Sequence, residues 1–238
     1  MDPNLIHWGE TLRPPGSKYI LGSDHLGRDI LSRIIWGART SLLIGVASVM
    51  ISTIIAILIG SISGYFGSTI DNILMRFTDI ILTIPYFFLL LILVSVFSAK
   101  GLIPIILTIG FTGWGGLARM IRSCFLSLRE TPFVEAARSI RASNTRIIFR
   151  HILPNALTPI IVSSTFRLAN AILSIAGLSY LGLADPSIIS WGSMCAEGQQ
   201  YILHAWWVST ISGLVITITV ILFNLLGDGL RDALDVRL

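Results

Sequence analysis

Covalent chemistry usually announces itself by a few residue types at fixed spacings, and this chain lacks those spacings. A phosphate-cradling loop needs Gly-Lys followed by Ser or Thr. The two lysines, Lys18 and Lys100, follow Ser17 and Ala99 instead. There is no His-Glu-x-x-His zinc site and no Gly-x-Ser-x-Gly nucleophile elbow. The histidines His7, His25, His151 and His204 are scattered, without metal-ligand spacing. Cys124 and Cys195 read as unpaired packing residues. No catalytic residue, bound metal or cofactor is expected.

Two features can act without covalent chemistry. The first is the run TPFVEAARSIRASNTRIIFRHILPN, from Thr131 to Asn155, basic and amphipathic between two apolar stretches. Pro132 suits the first turn of a helix and Thr131 its N-cap. Phe133, Ala136, Ala137 and Ile140 fall on one face at helical spacing. Glu135 sits near the N-terminus, where the helix dipole favours a carboxylate. Ser143 or Asn144 is placed to cap a second short helix through Ile147, Ile148 and Ile152, with Pro154 opening the next span. Small alanines beside a carboxylate let such a helix lie close in a partner's groove. The same pattern also describes an ordinary amphipathic helix on a membrane surface.

The second is Arg167, alone in an apolar stretch. A charge at mid-membrane costs about 2.5–3.5 kcal/mol on insertion scales, so it must face protein or water. One reading is a pore-lining cation that meets an anionic group on a solute. The other is an ion pair or hydrogen-bonded anchor. Arg167, Asn170 and Ser174 are the candidate substrate-path residues.

The elements that must position these residues are membrane spans. The chain is 53% hydrophobic and 13% charged, against about 25% charged in soluble domains. Five apolar spans are expected: Leu42 to about Gly64; Ile80 to about Ser98, interrupted by Pro85; Leu102 to about Ala118, with Gly113-Trp114-Gly115-Gly116 inside; Ala156 to Leu183; and Trp206 to about Leu226. The fold class is all-α, a polytopic transmembrane helical bundle. The segment between spans three and four carries Arg119, Arg122, Arg129, Arg138, Arg141, Arg146 and Arg150. The next connection has Asp185 and Glu197 and no Lys or Arg. The positive-inside rule puts the first in the cytoplasm and the second outside. The basic balance therefore reads as membrane orientation and not as nucleic-acid binding.

Five spans with a cytoplasmic C-terminus leave residues 1–40 outside, with Arg13, Lys18, Arg28, Arg33 and Arg39 among them and no signal peptide to carry them there. The expectation is a six-span parent whose first span is missing. Residues 1–40 form an external segment with an interfacial amphipathic helix. In that helix Ile30, Leu31, Ile34 and Ile35 share one face, and Arg28, Asp29 and Arg33 lie on the polar side. Residues 41–238 form the transmembrane domain, with a cytoplasmic loop at 119–155. Trp191, Trp206 and Trp207 read as interfacial anchors.

Four stretches, in order, resemble a known family. They are Leu21-Gly22-Ser23-Asp24-His25-Leu26-Gly27-Arg28-Asp29 with its continuation to Leu42; Glu135-Ala136-Ala137 with Ile152-Leu153-Pro154-Asn155; Leu178 to Leu183 with Ser190-Trp191-Gly192; and Phe223 to Asp232. Together they resemble the permease subunits of the dipeptide/oligopeptide/nickel branch of ABC importers. The resemblance implies a type I ABC importer permease fold in a bacterial or archaeal cytoplasmic (inner) membrane. It implies a homologous second permease, two ATPase subunits and an external solute-binding protein as partners. Phe133, Glu135, Ala136, Ala137, Ile140 and Arg141 would then be the ATPase-coupling residues, and short peptides the solute. Nickel or a metal chelate is the alternative, because Ala176 to Ser179 and Gln199 to Ile202 look similar to stretches of nickel-type members. Two positions depart from the family. Arg141 stands where a Gly is usual, which either continues the helix or extends contact with an acidic partner. Ile175 stands where many relatives are acidic. A stand-alone channel or secondary carrier, and an intramembrane enzyme, are the readings from other classes. The first is disfavoured by the lack of repeats and of other intramembrane charges, the second by the lack of a catalytic constellation.

Overall fold

A computed structural model describes residues 2–97, 101–185 and 187–234. Among these the regular elements are helices: α1 (Ile30–Phe66), α2 (Ser68–Thr83), α3 (Tyr86–Val96), α4 (Leu102–Thr112), α5 (Gly115–Leu128), α6 (Pro132–Ser139), α7 (Asn144–Arg146), α8 (Leu153–Tyr180), α9 (Trp191–Gln199) and α10 (Trp206–Leu234). A π-helical turn, Ile147–Ile152, joins α7 to α8 without a break. The one β feature described is an isolated bridge between Ser23 and Asp29.

Three of these runs are long and apolar enough to cross a membrane: α1, Asn144–Tyr180 and α10. Two bent pairs, α2 with α3 at 83° and α4 with α5 at 42°, bring the number to as many as five if each pair is one span. Both bends have a local cause. Pro85 forces Ile84 into extended backbone and ends α2 there. Gly113 and Trp114 interrupt the fourth and fifth helices. The helix before Pro85 begins at Ser68, earlier than the Ile80 that hydropathy indicates, because the polar residues of α2 hide its helical continuity. The expected Ser98 terminus of that span lies outside the described residues.

The structure divides into two compact units. One comprises Ser48–Leu90, Ile109–Arg167 and Asn224–Leu238. Its core gathers Trp114, Leu117, Ile121, Phe125, Val134 and Ile147. Here α1 approaches α5 through Gly60 and Gly64. A methyl group at Gly60 would lie 2.6 Å from the Ala118 carbonyl oxygen, and one at Gly64 2.7 Å from that of Arg122. Small residues four apart are the usual device for such close helix contact. Gly60→Val is expected to lower the melting temperature of the purified protein by several degrees, since overpacking costs about 1–3 kcal/mol. Differential scanning fluorimetry in detergent checks it.

The other unit comprises Met1–Ala47, Leu91–Thr108 and Leu168–Phe223. Ile30, Ile34, Met194, Trp207 and Val208 form one of its cores; Ile172, Trp191 and Ile216 form another. Two of the three tryptophans expected at the interface lie inside instead. Trp191 is buried and donates its indole N–H to the Ile34 carbonyl at 2.9 Å. Trp207 is buried and donates to the Ser23 carbonyl at 3.3 Å. Each indole proton finds an internal acceptor, which removes the reason to reach the interface. Trp206 is exposed, as an anchor would be.

Residues 29–35 also differ from expectation. They make no separate interfacial helix, because α1 starts at Ile30 and continues straight into the first span. Arg33 is not on a solvated face: it is 3% exposed.

Candidate functional site: the α6 loop and its supports

Pro132 occupies the first turn of α6, as the sequence indicates, and Thr131 is its N-cap residue. The Thr131 hydroxyl, however, donates to the Leu128 carbonyl and does not cap. Val134 and Ala137 are buried and hold the helix against the π-helical turn, where Ile147 and Ile148 are buried. Phe133, Glu135, Ala136 and Ile140 are exposed, Ile140 at 78%. Of the four residues expected on one face, Ala137 is the exception: it anchors, and Phe133, Ala136 and Ile140 are presented.

The end of α6 settles the conformation of Arg141. Its N–H donates to the Arg138 carbonyl at 2.9 Å, and the Ala142 N–H to the Ala137 carbonyl at 3.1 Å. This is a Schellman stop, with Arg141 in the left-handed region at φ 58°. The helix does not continue through Arg141, because the two backbone bonds outweigh the strain of a side chain there. Arg141→Gly should relieve that strain, about 1–2 kcal/mol. The variant is expected to melt higher than the parent by a degree or more, with the loop unchanged.

The chain after the turn is fixed by Tyr65. Its hydroxyl donates to Asn144 Oδ1 at 2.8 Å, and the Arg138 guanidinium lies 5.8 Å from its ring centroid, within cation–π range. Ser143 caps α7 by accepting the Arg146 N–H at 3.4 Å. The expected second short helix is thus only the first turn of the long Asn144–Tyr180 run. Tyr65 has no signal in the sequence; only the fold brings it to the loop.

Arg167 donates to the Gly113 carbonyl at 2.5 Å. That carbonyl belongs to the break between α4 and α5, where backbone acceptors lose their helical donors. Of the two readings of Arg167, the geometry is that of the hydrogen-bonded anchor. Ser174 is buried and donates to the Asn170 carbonyl at 2.8 Å, within its own helix. Asn170 is exposed. Ile175 is 2% exposed and shares a small, mostly apolar pocket with Ile44, Ile105 and Leu178, which suits its departure from an acidic residue.

A second cluster lies in the other unit. Arg28 contacts Asp24 at 2.6 Å and Glu197 at 2.8 Å. Arg33 contacts Asp24, and Glu197 at 2.7 Å. Asp24 also accepts the N–H groups of Leu26 and Arg28 at 2.9 Å each. Burial alone would raise the Asp24 pKa, but the Arg28 N–H and the two guanidinium groups overcome it and hold the carboxyl below its ordinary range. Asp24, His25 and Glu197 bring three metal-type ligand atoms within 4.8 Å of one another. Two cations already serve the two carboxylates, so the group is a balanced ion-pair network tying residues 24–33 to α9. The first family-like stretch contains these charges, but their partner Glu197 lies far along the chain.

Comparison with known proteins decides the family. Residues 56–238 match the model of the binding-protein-dependent transport system inner membrane component. The chain belongs to this family. Relatives cover it almost end to end. A putative peptide transport system permease protein of Brucella suis is 41% identical over 99% of this chain and 79% of its own length. The di/tripeptide transport system permease protein DppC of Pseudomonas aeruginosa is 40% identical over 100% of this chain and 80% of its own length. The oligopeptide transport system permease protein OppC of Bacillus subtilis is 41% identical over 95% and 74%. A solved structure of the MetNI methionine ABC transporter in an inward-facing conformation shares the fold. Its TM-score is 0.66 at 22% identity, covering 86% of this chain and 97% of that one. This transport-system component is therefore a membrane permease subunit, whose regular elements among the described residues are helices and whose fold is that of an ABC transporter permease.

Proposed function

We propose that this permease forms half of the translocation path of an ATP-driven importer of short peptides, in the cytoplasmic membrane of a bacterium or archaeon. A homologous second permease supplies the other half. Two separate ATPase subunits drive it, and an external binding protein delivers the solute. The observation that carries this reading is α6: a short helix anchored by Val134 and Ala137 that presents Phe133, Glu135, Ala136 and Ile140 outward. An exposed apolar stripe beside a carboxylate is a docking surface for a partner and a poor end point for an isolated chain.

The mechanism follows from the anchoring. The basic 119–155 segment lies in the cytoplasm under the positive-inside rule. Closure of the ATPase dimer on ATP pushes α6. Val134 and Ala137 pass the push to the Ile147–Ile152 turn, which continues directly into α8. Tyr65 couples the same loop to the end of α1. The helices rock, and the path alternates between the binding protein and the cytoplasm. Arg167 supports this as a fixed strut at the α4–α5 break; Asn170 remains the exposed candidate for contact with solute.

Peptide is the solute favoured by the names of the relatives above. Nickel or a metal chelate gains no support from them. Capture of the tagged chain from its native membrane in mild detergent, followed by mass spectrometry, tests the assembly. A second permease, two ATPases and a binding protein are expected. A chain that purifies alone and still transports would overturn the reading in favour of a channel or carrier.

A further inference from the structure

The helix α2 has three distinct faces. Asp71 and Thr78 point into the protein and are buried. Ile73, Phe77 and Ile80 are exposed and apolar. Between these faces, Asn72, Met75, Arg76 and Asp79, together with Asp71, line a cleft of about 300 Å³ shared with Arg119 and Arg122 of α5. The charges of this cleft are not evenly used. Arg122 holds Asp71 through two hydrogen bonds, and Arg119 pairs with Asp79. Arg76 makes no ion pair among the described residues, so the cleft carries one positive charge in excess. Three and four residues from Arg76, Ile73 and Ile80 share its side of the helix. An unpaired guanidinium therefore borders an exposed apolar stripe.

We propose that this cleft holds the phosphate of an anionic phospholipid, with Arg76 as its principal contact and Asn72 and Arg119 beside it. A guanidinium matches phosphate oxygens in a fork. A free phosphate would use the charge but leave Ile73, Phe77 and Ile80 bare. A phospholipid uses both, its acyl chains lying along the apolar stripe. Basic clefts between membrane helices on the cytoplasmic side are suited to such headgroups. The leaflet, but not the site, rests on the orientation proposed above.

The test is native mass spectrometry of the complete transporter, delipidated and then offered phosphatidylglycerol or phosphatidylcholine. Preferential retention of phosphatidylglycerol is expected. Arg76→Gln should reduce it by roughly fivefold, the weight of one basic residue near a membrane, and Arg76→Lys should restore part. Arg76 is exposed, so both variants are expected to fold, and an unchanged melting curve verifies this. Equal retention of the two lipids, or undiminished phosphatidylglycerol on Arg76→Gln, would overturn the proposal. Displacement of the lipid by equimolar inorganic phosphate would overturn the choice of lipid over a free anion. The readout is lipid retention, so it stands or falls independently of the solute carried.

Discussion

Glu135→Arg is expected to abolish ATP-dependent uptake while leaving the protein folded and assembled in the membrane. Glu135 is exposed on α6, so its replacement opens no cavity and breaks no buried bond. Its carboxylate sits in the first turn of the helix. There it gains from the dipole, and a cation loses by a comparable amount, typically 0.3–1 kcal/mol. That cost is too small to unfold the loop, which Val134, Ala137 and the Schellman stop hold in place. The larger effect is expected at the proposed docking surface, where reversing a charge would convert attraction into repulsion and cost several kcal/mol. Uptake should fall at least tenfold, with ATP hydrolysis persisting unlinked from transport or failing to respond to the binding protein. The comparison is uptake per ATP hydrolysed, in variant and parent at equal complex yield. Unchanged uptake would remove Glu135 from coupling.

The second large effect is at the other cluster. Asp24→Ala leaves Arg28 and Arg33 sharing Glu197 alone, with Arg33 buried. Removing one partner from a buried ionic group costs about 3–5 kcal/mol, mostly from the charge left uncompensated. The Leu26 and Arg28 N–H groups also lose their acceptor. A melting temperature lower by many degrees is expected in detergent. Replacing both partners, Asp24→Leu with Arg33→Met, should recover part of the loss, which a simple cavity would not allow. Acid should act in the same direction. The Asp24 pKa is lowered in the folded state, so its stabilisation is complete above the unfolded value of about 3.9. It is lost as pH falls below that value through the folded one. Thermal unfolding of the parent should lose stability in that window, and the Asp24→Ala variant should lose less.

Much of the architecture was legible because hydrophobic length is a strong signal. The spans of α1, α8 and α10 follow from apolar runs, and the bends follow from Pro85 and Gly113. The start of α2 was not legible, since Asp71, Arg76 and Asp79 break the hydropathy while the backbone stays helical. In α6 the proline, the capping position and the presented stripe could all be read from spacing. Ala137 packs inward instead of joining the presented stripe, because periodicity gives the faces of a helix but not which face finds a partner. Arg141 was ambiguous for a different reason: a left-handed conformation depends on two backbone hydrogen bonds that composition does not encode. Arg33 and Glu197, Tyr65 and Asn144, and Arg167 and Gly113 are pairs far apart along the chain. Each residue's chemistry was visible, and its partner was not.

The central proposal is that motion delivered to α6 by a separate ATPase drives solute through the path. Uptake of a labelled dipeptide into proteoliposomes containing the complete assembly tests it most directly. The expected result is uptake that requires ATP and the binding protein and is lost with Glu135→Arg. Uptake that proceeds without ATP, or through this chain alone, would contradict it.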